Sequence, residues 1–287
     1  MATHDSVFVD AAVSVLAPPE LTVRNPLSVA SCAATAALGS SCDACHFRAT
    51  CLGYAFRSAN AGTQPLVGYR RHLEAGEVLY HAGARCSLVH VVQSGFFKTV
   101  MLSADGIAQI AGFQMPGDLL GLDGLSSGVH RCDAIALTGS SVCVVSRARL
   151  LQSSAGNEAL CRHLLGVLSD EIHSDHAKML LLGSRSAEER VAGFLVELSE
   201  RLAGRGYSGS EIGLWMSREE IGSYLGLELE TISRILSSLV KRRLIEVHRR
   251  HIRISDPRGL RGAMVGRDAH GASGARRTHR CDPISST

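Results

Sequence analysis

Three cysteines lie close together near the start of the chain, in the stretch SSCDACHFRATCLGYAF at positions 40–56. Their spacing is Cys42-x2-Cys45-x5-Cys51. Iron–sulfur clusters commonly need four thiolate ligands, and closely spaced cysteines on a loop can surround one side of a cubane. The trio therefore favours an iron–sulfur site whose remaining ligand comes from elsewhere in the fold.

Two other uses of the trio stay open on spacing alone. A structural zinc site usually joins two closely spaced ligand pairs or ends in a histidine pair, and no second cysteine pair of that kind follows. A redox-active CxxC motif needs a strand–helix–strand context, which the segment before Cys42 does not offer. Spacing does not choose a fourth ligand among the remaining cysteines, which are Cys32, Cys86, Cys132, Cys143, Cys161 and Cys281.

Composition and charge restrict the class of protein. No apolar run approaches the roughly 18 residues that cross a bilayer, and Met1–Pro19 lacks the basic start of a secretory signal. We therefore expect a cytoplasmic protein without a membrane partner, in which nine cysteines indicate metal or redox chemistry rather than disulfides. From Lys241 onward the chain has 12 Lys and Arg against 4 Asp and Glu. This basic end indicates nucleic acid as a partner, although a solvated basic tail has the same composition.

The order of the predicted elements indicates an α+β protein. Short β-type runs at 88–95, 96–103, 107–114 and 141–146 alternate with glycines, which predicts a β-roll or barrel. A long helical stretch follows at 159–184, and an amphipathic helix begins near Ala187. Ser217 and Glu220 form a capping-box pattern before a short helix that stops at Gly226, and a second helix begins near Leu229. This is a helix-turn-helix pattern, and the alternating run at 244–254 adds a hairpin with a basic tip.

The helix at 159–184 has the spacing of a dimer seam. Six of its residues step by three and four, as in a two-stranded coiled coil. Because one of them is a carboxylate with Glu171 beside it, pairing would bring like charges together at a cost in free energy. The alternative is one amphipathic helix that packs on its own domain with the carboxylate at the solvent edge. The seam residues are Leu165, Leu168, Ile172, Asp175, Met179 and Leu182.

The second helix of a helix-turn-helix lies in the DNA major groove, with its first residues at the base edges. In this chain those residues are Glu230, Thr231, Ser233 and Arg234. Arginine can bind guanine through two hydrogen bonds, and a carboxylate can accept one from cytosine. The alternative is an ordinary helix-surface pair between Glu230 and Arg234. Basic residues placed to meet phosphates are Arg218, Lys241, Arg242, Arg249 and Arg250.

The stretches SAEERVAGFLVELSERLAGRG, MSREEIGSYLGLELETISRIL, GDLLGLDGL and DEIHSDHAKMLLL resemble the Crp/Fnr transcription regulators, and among them the Fnr-type oxygen sensors. The resemblance covers about residues 40–255. It implies a cyclic-nucleotide-binding-like jelly roll, a long dimerisation helix and a C-terminal winged helix-turn-helix. It further implies a homodimeric activator that works with RNA polymerase and holds one [4Fe–4S] cluster per subunit, which oxygen destroys.

The resemblance also assigns residues. It implies that Cys143, in SSVC, is the last ligand beside Cys42, Cys45 and Cys51, with Cys132 as the runner-up. It places the start of the second helix on a TTGAT-N4-ATCAA-like palindrome. The predicted domains are a flexible segment at 1–40, a sensor domain at 41–158, a dimerisation helix at 159–185, a winged helix-turn-helix at 186–256 and a disordered basic tail at 257–287.

Two other function classes compete with this one. A regulator that senses a cyclic nucleotide would need a Gly-Glu pair and an Arg-Ser pair at its phosphate site. The equivalents here are Gly117-Asp118 and Arg131-Cys132, with a shorter acid and no serine. An enzyme with a cysteine nucleophile is not supported, because no cysteine is matched with a histidine and an orienting acid at a recognisable spacing.

Overall fold

The structure, a computed structural model, describes residues 67–266 together with Cys42, Cys45, His46, Cys51 and Tyr54. The segment predicted to be flexible (1–40) and the last part of the predicted tail (267–287) lie outside these residues. The first part of the described chain is a set of antiparallel strands. They are β1 (Val67–Leu73), β2 (Val78–Tyr80), β3 (Leu88–Ser94), β4 (Phe97–Leu102), β5 (Ala108–Gln114), β6 (Leu119–Leu120), β7 (Asp133–Ala136) and β8 (Ser140–Ser146).

These strands form two four-stranded sheets, and the four strand predictions are confirmed. One sheet has the order β1-β8-β3-β6 and the other has the order β2-β7-β4-β5. Apolar side chains from both sheets meet in one core, because alternate residues of a strand point to the same face. Gly95, in the turn between β3 and β4, has φ +81°, and a Cβ there would collide with Ser140. This turn therefore requires glycine.

Two helices cover the outer face of the first sheet. They are α1 (Arg147–Gly156) and α2 (Glu158–Ser184), and the Asn157 side chain caps α2 by accepting from the Leu160 N–H at 2.9 Å. No helix within the described residues has both the length and the apolar character needed to cross a membrane. The buried residues between helices and sheet are called the outer-face cluster, and they are Val67, Val89, Val91, Leu125, Cys143, Val145, Leu150, Leu160 and Leu164.

The C-terminal part combines helices with a small sheet. Its elements are α3 (Ala187–Ala203), β9 (Glu211–Gly213), α4 (Arg218–Leu225), α5 (Leu229–Lys241), β10 (Ile245–His248) and β11 (His251–Ile254), and the sheet order is β10-β11-β9. The predicted capping box is confirmed: Ser217 Oγ accepts from the Glu220 N–H, and the Glu220 carboxylate accepts from the Ser217 N–H. Gly226 ends α4 with φ +63°, which glycine adopts without strain.

The prediction of disorder from residue 257 is wrong for its first residues. Pro257–Met264 form a helix, α6, whose N-cap Asp256 accepts from the N–H groups of Arg258 and Gly259. Leu260 is fully buried, and Ala263 is buried in the core that α3 also lines. An eight-residue helix with internal glycines has little stability of its own, so this helix depends on tertiary packing. The local sequence pattern does not reveal these tertiary contacts, so the helix was not predicted.

The β-roll is docked firmly on the C-terminal part. Ile110 and Phe113 of β5 belong to the same core as Phe194 and Tyr224. The Ile110 N–H donates to Ser223 Oγ at 3.0 Å, which ties the edge of the sheet to α4. Apolar contacts and this hydrogen bond together link the position of α4 to strand β5.

Ion pairs also join the β-roll to the C-terminal part. The Asp118 carboxylate accepts from the guanidinium groups of Arg201, at 2.7 Å, and of Arg205. Arg205 Nε also donates to the Pro116 carbonyl at 2.9 Å. The turn before β6 is therefore fastened to the end of α3 by two arginines.

Candidate metal centre and nucleic-acid interface

The three N-terminal cysteines lie on short turns beside the β-roll. The Cys45 N–H donates to the Cys42 carbonyl at 3.2 Å, and the Tyr54 N–H donates to the Cys51 carbonyl at 3.1 Å. All three cysteines are partly exposed, and Cys51 packs against the outer-face cluster. No disulfide bond joins any of the cysteines that the structure describes.

Cys143 lies in β8 on the face of the sheet that Cys51 contacts. Burial raises the pKa of the Cys143 thiol to about 11, and the nearby Arg70 guanidinium opposes this effect. Cys51 and Cys42 raise the same pKa further, because neighbouring thiolates repel one another. Cys42 and Cys51 therefore both lie near enough to Cys143 to affect the pKa of its thiol, and Cys45 follows Cys42 within the same turn.

The runner-up, Cys132, lies elsewhere. Its side chain belongs to the core between the two sheets, and its Sγ donates to Asp123 Oδ2 at 3.5 Å. Burial and then the Asp123 charge raise the pKa of the Cys132 thiol to about 12. Cys51 contacts the opposite face of the first sheet, so Cys132 and Cys51 belong to different cores.

The donor set consists of cysteine thiols, which are the usual ligands of iron–sulfur clusters. Among the described residues, no three His, Cys, Asp or Glu side chains are gathered closely enough to hold one metal ion. A [4Fe–4S] cluster is larger than one ion and takes a cysteine at each iron. Arg70 adds a buried Nε that has no hydrogen-bond partner next to Cys143. An unpaired buried donor beside a thiol fits a negatively charged, sulfur-rich group.

His46 connects the cysteine segment to the C-terminal part. Its Nε2 donates to the carbonyl of Arg205 at 3.0 Å. Arg205 is also one of the two arginines that bind Asp118. The segment that carries the trio therefore contacts the same point at which the β-roll is fastened to α3.

The seam residues on α2 differ in their exposure. Leu165, Ile172 and Met179, seven residues apart, are 61%, 56% and 60% exposed. Leu168 is partly buried against the outer-face cluster. Desolvation, followed by the nearby Asp175 carboxylate, raises the pKa of Glu171. An exposed apolar row beside two neighbouring carboxylates is therefore present on one side of α2.

The predicted base-contacting residues lie together at the start of α5. Arg218, the first residue of α4, donates to Ser233 Oγ at 3.2 Å. Arg234 donates to Thr231 Oγ1 at 3.2 Å and remains exposed, as does Glu230. No ion pair joins Glu230 and Arg234 in the described part of the chain, so the ordinary helix pair considered from the sequence is not formed. Both side chains are thus available to a ligand.

A basic hairpin lies beside this helix. Strands β10 and β11 pair in register from Ile245 with Ile254 to His248 with His251. The two-residue turn between them consists of Arg249 and Arg250, which are both exposed, and Arg249 has φ +56°. A left-handed arginine costs about 1 kcal/mol relative to glycine, so its presence at the tip fits a phosphate contact.

Comparison with known proteins matches both parts of the chain. Residues 70–156 match the family model of the cyclic nucleotide-binding domain, and residues 189–263 match that of the Crp-like helix-turn-helix domain. The chain is 42% identical over 187 residues to the transcriptional activator protein Anr of Pseudomonas protegens, which covers 65% of this chain and 77% of that protein. It is 37% identical over 220 residues to the transcriptional activator protein FnrA of Stutzerimonas stutzeri, which covers 76% and 90%. The chain belongs to the Crp/Fnr family.

A solved Crp/Fnr-type structure agrees with this result. FixK2 from Bradyrhizobium japonicum superposes with a TM-score of 0.63 at 33% identity, over 71% of this chain and 98% of FixK2. The predicted α+β fold class is confirmed. As a Crp/Fnr protein, the chain is a DNA-binding transcription regulator and not an enzyme.

The residue pairs that were compared with a nucleotide phosphate site have protein partners in the structure of this Crp/Fnr chain. Asp118 binds Arg201 of α3 and Arg205, which follows that helix. Asp123 takes the position beside the Arg131-Cys132 pair, where its carboxylate accepts from the N–H groups of Arg131 at 2.6 Å and Cys132 at 3.3 Å. Backbone N–H groups that could bind a phosphate are therefore already occupied by a carboxylate.

Arg70 is the site residue that sequence reasoning missed. The register of β1 on β8 is shifted between Val67 and Tyr69, and Arg70 lies opposite Cys143 beyond this bulge. A bulge inserts one residue and moves the following side chains to the other face of the sheet. Strand alternation counted from Val67 therefore gives the wrong face for Arg70.

Proposed function

We propose that this protein is an oxygen-responsive regulator, mainly an activator, of anaerobic and microaerobic genes in the cytoplasm. Cys42, Cys45, Cys51 and Cys143 would hold one [4Fe–4S] cluster per subunit. The observation that carries the proposal is the position of Cys143, which shares one core with Cys51 and interacts with Cys42 beside an unpaired buried arginine donor. The relatives support it, since they include proteins named transcriptional activator Anr and FnrA.

The outer-face cluster supplies a path from the cysteines to the seam. Cys51 contacts the same buried set that includes Cys143 and Leu160 of α2. Leu168, a seam residue, packs against this set from the same helix. When bound, the cluster supplies a group that dioxygen can destroy. With the iron–sulfur group bound, Cys51 would stay packed on the buried set that includes the start of α2. When the group is lost, this packing would be released.

The seam on α2 would link this packing to dimer formation. Leu165, Ile172 and Met179 offer an apolar row to a second copy of α2, whereas Asp175 and Glu171 oppose pairing by like charge. Because apolar attraction and charge repulsion oppose each other, the dimer would be weak. A small change in packing at the start of α2 would then shift the monomer–dimer equilibrium. A dimer presents two α5 helices to half-sites one turn apart, about 34 Å, and a monomer loses one of them. We propose a TTGAT-N4-ATCAA-like palindrome as the site and RNA polymerase as the further partner.

The Asp175→Ala variant is expected to form dimers in air. Removing the seam carboxylate relieves repulsion between the two helices, so the apolar row pairs without help from the cluster. Analytical ultracentrifugation of air-exposed protein measures the result. Asp170→Ala is the matched control, because Asp170 is exposed on α2 outside the six-residue seam and its removal should leave the protein monomeric. A D175A variant that stays monomeric in air would contradict the proposed switch.

Anaerobic purification tests the proposed function itself. The protein should be brown and contain about four iron and four sulfide per chain, and its visible absorption should bleach in air. Zinc in place of iron, or protein that is colourless after anaerobic reconstitution, would refute the proposal.

The second candidate is a regulator of cyclic-nucleotide type, which the family match over residues 70–156 favours. The Asp123 contacts argue against it, because a nucleotide phosphate would have to displace a carboxylate from the Arg131 and Cys132 amides. Calorimetric titration with cyclic AMP separates the two candidates, since micromolar binding would support the second.

A further inference from the structure

Arg70 is held on the cluster side of the first sheet by its strand register. It lies directly opposite Cys143 in the antiparallel pair of β1 and β8, and Cys143 in turn lies opposite Val91 of β3. Side chains of directly opposed residues project from the same face and lie about 5 Å apart at Cβ. The Arg70 side chain therefore extends over the outer face, where Cys51 packs.

The partly buried Arg70 side chain lies against the Cys143 thiol, but this contact does not satisfy its Nε. Its Nε is buried without a hydrogen-bond partner, and none of the ion pairs within the described residues includes it. The neighbouring Arg71 is different, because it donates to Glu77 Oε1 at 2.9 Å and to the Leu79 carbonyl at 3.3 Å. Leaving a buried donor unsatisfied is unfavourable, so the Arg70 Nε is placed for an acceptor that the described residues do not supply.

We propose that Arg70 is a positioning residue that donates N–H hydrogen bonds to the sulfur atoms of the cluster and slows its destruction by oxygen. The inference rests on the proposed function and deepens it. A cubane with four thiolate ligands is an anion, and sulfur atoms are acceptors for N–H groups. Guanidinium suits this role because it stays charged at every physiological pH and presents several donors in one plane.

The expected direction of the effect follows from charge. Oxidation of a bound cluster by dioxygen would remove one electron from the cluster, reduce the dioxygen to superoxide and leave the cluster less negative. A fixed positive charge at Arg70 favours the more negative state and therefore opposes this electron loss. Removing the charge should make the cluster easier to oxidise, and its reduction potential should fall.

Three variants test the proposal: Arg70→Gln, Arg70→Lys and Arg71→Gln. Each is purified without oxygen, its iron and sulfide are counted, and the loss of visible absorption is followed after mixing with a fixed concentration of dissolved oxygen. The cluster potential is measured by redox titration. We expect R70Q to bleach roughly fivefold faster than the wild type and to have a lower potential. R70K keeps the charge and should lie nearer the wild type, and R71Q, which loses the same charge on the opposite face, should match the wild type.

The outcomes separate this inference from the function on which it rests. Equal bleaching rates and potentials in R70Q and R71Q, with normal iron in both, would overturn the role of Arg70 and leave the cluster proposal intact. R70K that behaves like R70Q in both readouts would overturn it too, because charge would then have no effect. A cluster that assembles on R70K and R71Q but not on R70Q would support it. A wild-type protein that takes up no iron would refute the proposed function, and the inference with it.

Discussion

The Cys143→Ser variant is expected to retain less than about one quarter of the wild-type iron after anaerobic purification. A serine hydroxyl is a poor ligand for iron in a sulfur cluster, and Cys143 is the only proposed ligand that comes from the β-roll. Its strand also fixes its position, since Cys143 pairs with Arg70 on one side and with Val91 on the other. Losing it should leave three cysteines on one segment, without the anchor that holds that segment to the sheet.

Cys132→Ser is the matched control for this prediction. Cys132 is also buried in the β-roll, but its thiol points into the core between the sheets and bonds to Asp123. The C132S variant should therefore keep its iron. Iron counts and the visible spectrum of both variants decide the matter. If C132S loses the cluster and C143S keeps it, the fourth ligand has been assigned to the wrong cysteine.

The Arg234→Ala variant should lose specific DNA binding. A good arginine–base contact discriminates by about 1–3 kcal/mol, so a dimer that loses two of them should bind its palindrome roughly thirtyfold more weakly or worse. Arg234 is exposed at the start of α5 and bonds only to Thr231 within the described residues, so the substitution should not disturb the fold. Fluorescence anisotropy with a cognate and a scrambled duplex measures both affinity and specificity.

Arg249→Gly provides the contrast. Arg249 has a left-handed backbone at the hairpin tip, and glycine adopts this conformation readily, so the variant should fold at least as well as the wild type. A phosphate contact carries no base information, so this variant should bind both duplexes more weakly by the same factor and with a smaller salt dependence. If R234A weakens both duplexes equally, Arg234 does not contact bases.

The sequence predicted those parts of the fold that local signals determine. The capping box at Ser217 and the glycine at 226 define the start and the end of α4, and both act through the backbone of neighbouring residues. The strands at 88–95, 96–103, 107–114 and 141–146 were predictable because their alternation and turn glycines are local as well. The stepping of Leu165, Ile172 and Met179 indicated a dimer seam; these residues are exposed in a single chain, and the seam itself stays a prediction.

Features that depend on distant partners could not be predicted in this way. Helix α6 is stabilised by the burial of Leu260 in a core built by residues far away in the chain. Asp118 was compared with a phosphate-site acid, but its partners Arg201 and Arg205 lie more than 80 residues later. Arg70 reaches Cys143 only because a bulge shifts the strand. In each case the deciding interaction is a tertiary contact, which residue spacing and secondary-structure propensity do not reveal.

The most direct test of the account is the affinity of one protein sample for its palindrome before and after exposure to air. Anisotropy is measured first without oxygen, and again once the visible absorption has bleached, at the same salt concentration. The account predicts that the dissociation constant rises at least about a hundredfold, because the subunits separate and each keeps a single half-site. An unchanged dissociation constant after complete bleaching would contradict the claim that the sulfur-bound cofactor controls assembly on DNA.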